Sequence, residues 1–264
     1  MAVDPALASS PRRFPIALVV RDSLRIWLTT LPRLALVSLL FFLPEIGLVL
    51  LLAWTKAGKG VSPRTLGLLA ALFTAASLFT AQGAVVLMVF QKLRGEPPDV
   101  FRTVQAAFRR LLPILGVVVS ISFASFVATF VIVVLTRLFL LFVLLLIPLL
   151  ALFVAWSVAI PAAVVEPIGP WSALARSASL TKGERGRIFV VWLVCAFVWW
   201  IFTMLATAVL SSFGSESGWP ALLARFLFLA VVGSFPAVVP AVVYHELRES
   251  REGIGLDQLA SVFQ

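Results

Sequence analysis

Glu45 stands near the middle of a long apolar run that extends from Leu34 to Trp54. An ionised carboxylate in hydrocarbon is costly unless it is paired, protonated or hydrated, so this position calls for a polar partner. Gln82, in the second apolar run, is the candidate for that role. The readings open are a proton- or substrate-coupled intramembrane site, a structural hydrogen bond, or a span shifted so that Pro44-Glu45 lies nearer the interface. A second set is basic. Arg176, Lys182 and Arg187 fall in a hydrophilic stretch between two apolar runs, where their charges suit anionic lipid headgroups or the acidic surface of a protein partner on the cytoplasmic face.

Other residue types with chemical potential lack the companions that chemistry needs. His245 is the only histidine, and His245-Glu246-Leu247-Arg248-Glu249 has no second histidine to complete a zinc-protease helix. Cys195 is the only cysteine, which excludes an internal disulfide and a multi-cysteine metal cluster and leaves an apolar packing role. Ser172, Ser177, Ser179 and Thr181 lie together with no histidine near them in sequence to serve as a base. Glu166 and Glu246 sit at helix ends, where pairing with Arg176, Arg187 or Arg248 at the surface is the ordinary use. There is no phosphate-binding glycine loop and no nucleophile elbow. The expectation is therefore no catalytic residue, no metal and no cofactor.

These residues are positioned by a chain written for lipid. Of its 264 residues 61% are hydrophobic and 12% charged, with a mean hydropathy of +1.09, far from the roughly 25% charged residues of a soluble domain. A span needs about 20 apolar residues in a helix, because the backbone must satisfy itself in hydrocarbon. Six stretches qualify: 34–54, 65–90, 113–135, 138–165, 188–210 and 221–244. The fold expected is all-α, an integral membrane six-helix bundle forming a single membrane domain over residues 1–264. Residues 1–13 hold no apolar run followed by a small-residue cleavage site, so the first span is expected to be retained.

Charge gives the orientation. With the N-terminus inside, 16 of the 21 Lys and Arg residues fall on the inner side and five (Lys56, Lys59, Arg64, Arg137, Arg225) on the outer, which predicts cytoplasmic termini in a bacterial inner membrane. The net charge of +9 thus follows the membrane, with anionic lipid as the partner and no nucleic acid. Nothing in the sequence fixes an oligomeric state.

The spans also repeat. Gly83-Ala84-Val85-Val86, Ala162-Ala163-Val164-Val165 and Pro240-Ala241-Val242-Val243 place their shared alanine 79 and then 78 residues apart. Each hairpin is preceded by a helical segment of mixed polarity, giving three pseudo-repeated hairpins with cytoplasmic interfacial helices at about 14–31, 98–112 and 170–182, and a fourth at 254–263. Asp22 with Arg25 and Asp99 with Arg102 share the spacing that puts opposite charges on one helical face. Rows of small residues (Gly116, Ser120, Ala124, Ala128; Gly233, Ala237, Ala241) predict close helix contacts, and Pro44, Pro148, Pro161, Pro236 and Pro240 predict kinks.

The stretch Glu166, Gly169, Pro170, Ala173, Leu174, Arg176, Ser177, Leu180, Thr181, Lys182 and Gly183, together with the ending from Tyr244 to Leu259, resembles the membrane domain found beside glycerophosphoryl diester phosphodiesterase and its stand-alone multi-span relatives of unknown function. That resemblance implies a six-span domain that is not itself catalytic. The phosphodiesterase domain is absent from this sequence, so its activity is not carried over. The function expected is a non-enzymatic polytopic membrane protein, lipid-associated or partner-binding. A transporter or permease subunit with a polar site near Glu45 is the alternative, and a lipid-acting enzyme the third.

Overall fold

A computed structural model describes residues 14–55, 63–110, 113, 115–121, 123, 127, 139–212 and 219–252. Regular structure among them is entirely helical: α1 (Ile16–Thr55), α2 (Pro63–Leu93), α3 (Val100–Arg109), α4 (Phe139–Trp156), α5 (Ala159–Val165), α6 (Pro170–Thr181), α7 (Arg185–Ser212), α8 (Trp219–Val232) and α9 (Phe235–Glu252). Residues 115–121 are also helical. Four stretches among the described residues are long and apolar enough to cross a membrane, namely Ile16–Gly47, Leu146–Val165, Arg185–Ala208 and Phe226–Glu252, and Ser77–Leu93 is a shorter apolar helix. Most of the expected span 113–135, and the expected interfacial helix 254–263, lie outside the described residues.

Three boundaries differ from the sequence expectation. The segment 14–31 and the span 34–54 are one continuous helix through Pro32, instead of an interfacial helix followed by a span. A proline inside a helix frees one carbonyl and need not end it where neighbours supply the contacts. The stretches 138–165 and 221–244 are each divided in two, at Ser157-Val158 and at Gly233-Ser234. Pro161 and Pro236 explain both breaks. A proline has no N–H to offer the carbonyl four residues back and its ring collides with it, and the residues at that spacing are Ser157 and Val232. Pro44, Pro148 and Pro240 stay within helices.

Local signals set the remaining ends. Asp99 caps α3, its side chain accepting from the Arg102 N–H at 3.1 Å and pairing with the Arg102 guanidinium at 3.6 Å. Asp22 pairs with its neighbour Arg21 at 3.2 Å. Pro170 opens α6 after Gly169, and Gly95 and Gly183 take left-handed conformations (φ 76° and 90°) just past the ends of α2 and α6.

The repeated phrases are the centre of the core. Ala84-Val85-Val86 on α2, Ala163-Val164-Val165 on α5 and Ala241-Val242-Val243 on α9 are all buried, and the three helices contact one another pairwise. Small residues let the surrounding helices close in. A Cβ on Gly116 would overlap the ring of Pro170, whereas the Cβ of a residue at 233 would meet the Leu229 carbonyl oxygen of its own preceding turn.

Candidate functional site

The residues of the family-like motif converge on one polar node. Glu166, between α5 and α6, accepts from Arg176 Nε at 2.9 and 3.2 Å and from the Tyr244 hydroxyl at 2.6 Å. Its backbone carbonyl accepts from Arg110 Nη1 at 3.2 Å. Arg176 also pairs with Glu252, which in turn accepts from Arg248 Nε at 3.0 Å. The Arg248 guanidinium lies 5.9 Å from the centre of the Tyr244 ring, and Phe90 of α2 meets that ring edge-on at 5.8 Å. Burial works against the Arg176 charge most strongly, yet the hydrogen bonds and charges of Glu166 and Glu252 together hold its guanidinium above the ordinary arginine value.

This node corrects the expectation of a surface ion pair: Tyr244 has no exposure, and Glu166 and Arg176 are mostly covered. Arg248 pairs with Glu252 instead of Glu166. Tyr244 and Glu252 enter as partners the sequence reading did not assign. A signal for Tyr244 existed, since it follows the third repeated phrase as Glu166 follows the second.

The remaining motif residues hold the break between α4 and α5. Ser177, fully buried, donates to the Ala155 carbonyl at 2.7 Å and accepts from the Val158 N–H at 3.3 Å, so it caps a helix start that has no side-chain cap of its own. Thr181 donates to the Ser177 carbonyl at 3.0 Å. Ala173, Leu174 and Leu180 are buried beneath α6. The Lys182 side chain is exposed, while its carbonyl and that of Ser179 accept from Arg251. Arg187 pairs with Glu184 at 3.4 Å. Of the three basic residues singled out by sequence, Arg176 is therefore matched internally by two carboxylates, and Lys182 faces outward.

Glu45 is separate from this node. It is 6% exposed, and its Oε1 accepts from the Thr74 hydroxyl of α2 at 2.6 Å, while Oε2 has no partner among the described residues. Gln82 does not fill that role. It borders a cavity of about 10 Å³ beside Ser38 and Ser234, which has room for about one water. Ser234 also accepts from Trp27 Nε1 at 2.9 Å.

Among the described residues no constellation matches a catalytic set. His245, Glu246 and Glu249 bring three ligand atoms within 4.8 Å of one another on α9, with His245 Nε2 3.8 Å from Glu249 Oε2, and no metal is assigned. The outer surface is different in kind. Phe101 and Trp171, each the second residue of its helix, are 77% and 75% exposed, and the Phe108, Arg102, Arg109 and Arg185 side chains are exposed as well. Aromatic and basic side chains of this kind belong at a membrane interface.

Fold and surface together define an all-helical membrane protein. No family model, curated protein or solved structure matches the chain.

Proposed function

We propose that this is a non-enzymatic polytopic protein of a bacterial inner membrane, with six spans in three pseudo-repeated hairpins, cytoplasmic termini and inner interfacial helices. Its role is that of a lipid-associated or partner-binding membrane component. The observation that carries this reading is the contrast between inside and outside. The polar groups of the motif, Glu166, Arg176, Ser177, Thr181 and Tyr244, are bonded to other parts of the chain, whereas exposed aromatic and basic side chains lie on the outer surface at α3 and α6. The resemblance to the membrane domain beside glycerophosphoryl diester phosphodiesterase supports the same reading, because its two specific stretches meet at Glu166 and Tyr244.

Lys182, Arg185 and Arg187 are the residues assigned to headgroups or a cytosolic partner; Arg176 acts by positioning α6. Replacing the three with glutamine should reduce the anionic lipid retained by the purified protein by more than about tenfold, at roughly 1 kcal/mol, or about fivefold, per charge near the surface. Unchanged lipid content in mass spectrometry refutes the assignment.

A second reading, a transporter with an intramembrane site, is favoured by one observation: the buried Glu45 Oε2 without a partner among the described residues. Reconstituted vesicles showing a pH-dependent flux that Glu45→Gln abolishes would establish it over the first.

A further inference from the structure

The turn between α6 and α7 carries the basic residues assigned to headgroups, and its own backbone holds it loosely. Two hydrogen bonds close it, from the Lys182 N–H to the Ser179 carbonyl at 3.3 Å and from the Glu184 N–H to the Thr181 carbonyl at 3.2 Å. Both lie at the long end of the ordinary range. Between them Gly183 takes a left-handed conformation, φ 90°, which glycine enters and leaves with equal ease. The last carbonyls of a helix have no partners within it, so the end of α6 offers acceptors to another part of the chain.

One side chain takes them. Arg251, in the last turn of α9, donates from Nη1 to the Ser179 carbonyl at 3.3 Å and from Nη2 to the Lys182 carbonyl. The first acceptor lies in the last turn of α6 and the second just past it, so one planar guanidinium spans the helix end and the start of the turn. A cation placed there also complements the negative end of the helix. A Cβ at position 183 would stand 3.5 Å from Nη2, which sets the guanidinium against the middle of the turn as well. Arg251 has a firm base. α9 packs against both α6 and α7, and its Arg248 and Glu252 are bonded to each other, with Glu252 paired to Arg176 of α6.

What the turn presents depends on that fork. The Lys182 and Arg185 side chains are exposed on either side of Gly183, so the bend at Gly183 sets one relative to the other. Glu184, inside the turn, pairs with Arg187 at 3.4 Å, so the place of Glu184 sets where Arg187 is held. Three cations on a loose turn must lose freedom to meet one anion, whereas a turn already fixed avoids that cost.

We infer that Arg251 is the positioning residue of a site in which Lys182, Arg185 and Arg187 receive the phosphate of an anionic glycerolipid. It acts by bridging the Ser179 and Lys182 carbonyls. The inference rests on the lipid-associated reading above and adds the residue that arranges the contact.

The test uses the full-length protein in mild detergent with equal amounts of phosphatidylglycerol and phosphatidylcholine. Native mass spectrometry reads the ratio of bound anionic to bound zwitterionic lipid. Because Arg251 is itself exposed and positive, the variant has to keep the charge and remove the fork. Arg251→Lys does so, since an ammonium is a point charge on a flexible stem and lacks the planar pair of donors. It should lower the ratio about threefold or more through lost preorganisation, with phosphatidylcholine retention and helix content at wild-type values. In a protein already carrying glutamine at 182, 185 and 187 the same change should leave the ratio where it is, because the site that Arg251 arranges is gone. A ratio unmoved by Arg251→Lys, an equal fall in both backgrounds, or a joint loss of both lipids and of helix content overturns the inference and leaves the lipid-associated reading standing. A wild type with no preference for phosphatidylglycerol overturns that reading too.

Discussion

Replacing Glu166 with alanine removes one acceptor from two donors. The Tyr244 hydroxyl, 2.6 Å away and fully buried, loses the one partner recorded for it, and a stranded buried hydroxyl costs about 1–3 kcal/mol. Arg176 loses less. It keeps Glu252 and is partly open to solvent, so its share is nearer the 0.5–1 kcal/mol of a half-exposed pair, roughly. Glu166→Ala should therefore cost about 2–4 kcal/mol. Tyr244→Phe removes the donor but leaves the carboxylate held by Arg176, and should cost about 1–1.5 kcal/mol. In the Tyr244→Phe background there is no hydroxyl left to strand, so Glu166→Ala should cost only about 1 kcal/mol, a coupling of about 1–2 kcal/mol. Titrating all four proteins from mixed micelles with denaturing detergent, while following helix content, measures each term. Costs that add within about 0.5 kcal/mol would refute the shared hydrogen bond. So would a Glu166→Ala protein no less stable than one carrying an exposed substitution.

Two glycines should respond in opposite ways to alanine in the same assay. Gly116→Ala drives a methyl group into the ring of Pro170 and should cost about 1–3 kcal/mol, whereas Gly47→Ala meets nothing within 4 Å inside α1 and should stabilise by up to about 1 kcal/mol. Equal effects would refute the close approach of residues 115–121 to α6. At Glu45, Thr74→Val should cost about 1–2 kcal/mol by removing the donor to a buried carboxylate. Glu45→Gln, which keeps an acceptor oxygen, should cost less than half as much, and a cost equal to that of Glu45→Ala would show that the hydrogen bond to Thr74 contributes nothing.

Much of the helical frame was legible because lipid leaves the chain little choice, and the apolar runs had to be helices. The pairing of Asp99 with Arg102 was legible too, from a spacing that sets both on one helical face. The continuity of α1 through Pro32 was not, since a proline's effect depends on what surrounds the carbonyl it frees. The breaks ahead of Pro161 and Pro236 show the other outcome of the same chemistry. At the first break the compensating contacts come from α6, where Ser177 donates to the Ala155 carbonyl and accepts from the Val158 N–H and Thr181 also reaches the Ala155 carbonyl, a relation that no local window contains. The partner of Glu45 was the least legible part. Register between packed helices decides whether Gln82 or Thr74 faces a carboxylate, and that register is set by the shapes of many small side chains. The Glu166–Tyr244 bond is an intermediate case. Its two members are 78 residues apart, the same interval that separates the second and third repeated phrases.

That interval has a consequence for assembly. The phrase is followed by Leu87 in its first copy, Glu166 in its second and Tyr244 in its third. Three helices with nearly interchangeable apolar ends are thus labelled, one neutral, one anionic and one a hydroxyl donor. An exchanged arrangement that set Glu166 against Leu87 would leave a carboxylate without its donor, so the order of the helices around the core is chemically enforced. Tyr244, Arg248, Arg251 and Glu252 all belong to α9, which is made after every other described helix. The clasp therefore closes late in synthesis, and a chain halted before residue 235 would leave Glu166 without Tyr244, and Arg176 without Glu252, as exposed marks of an unfinished bundle.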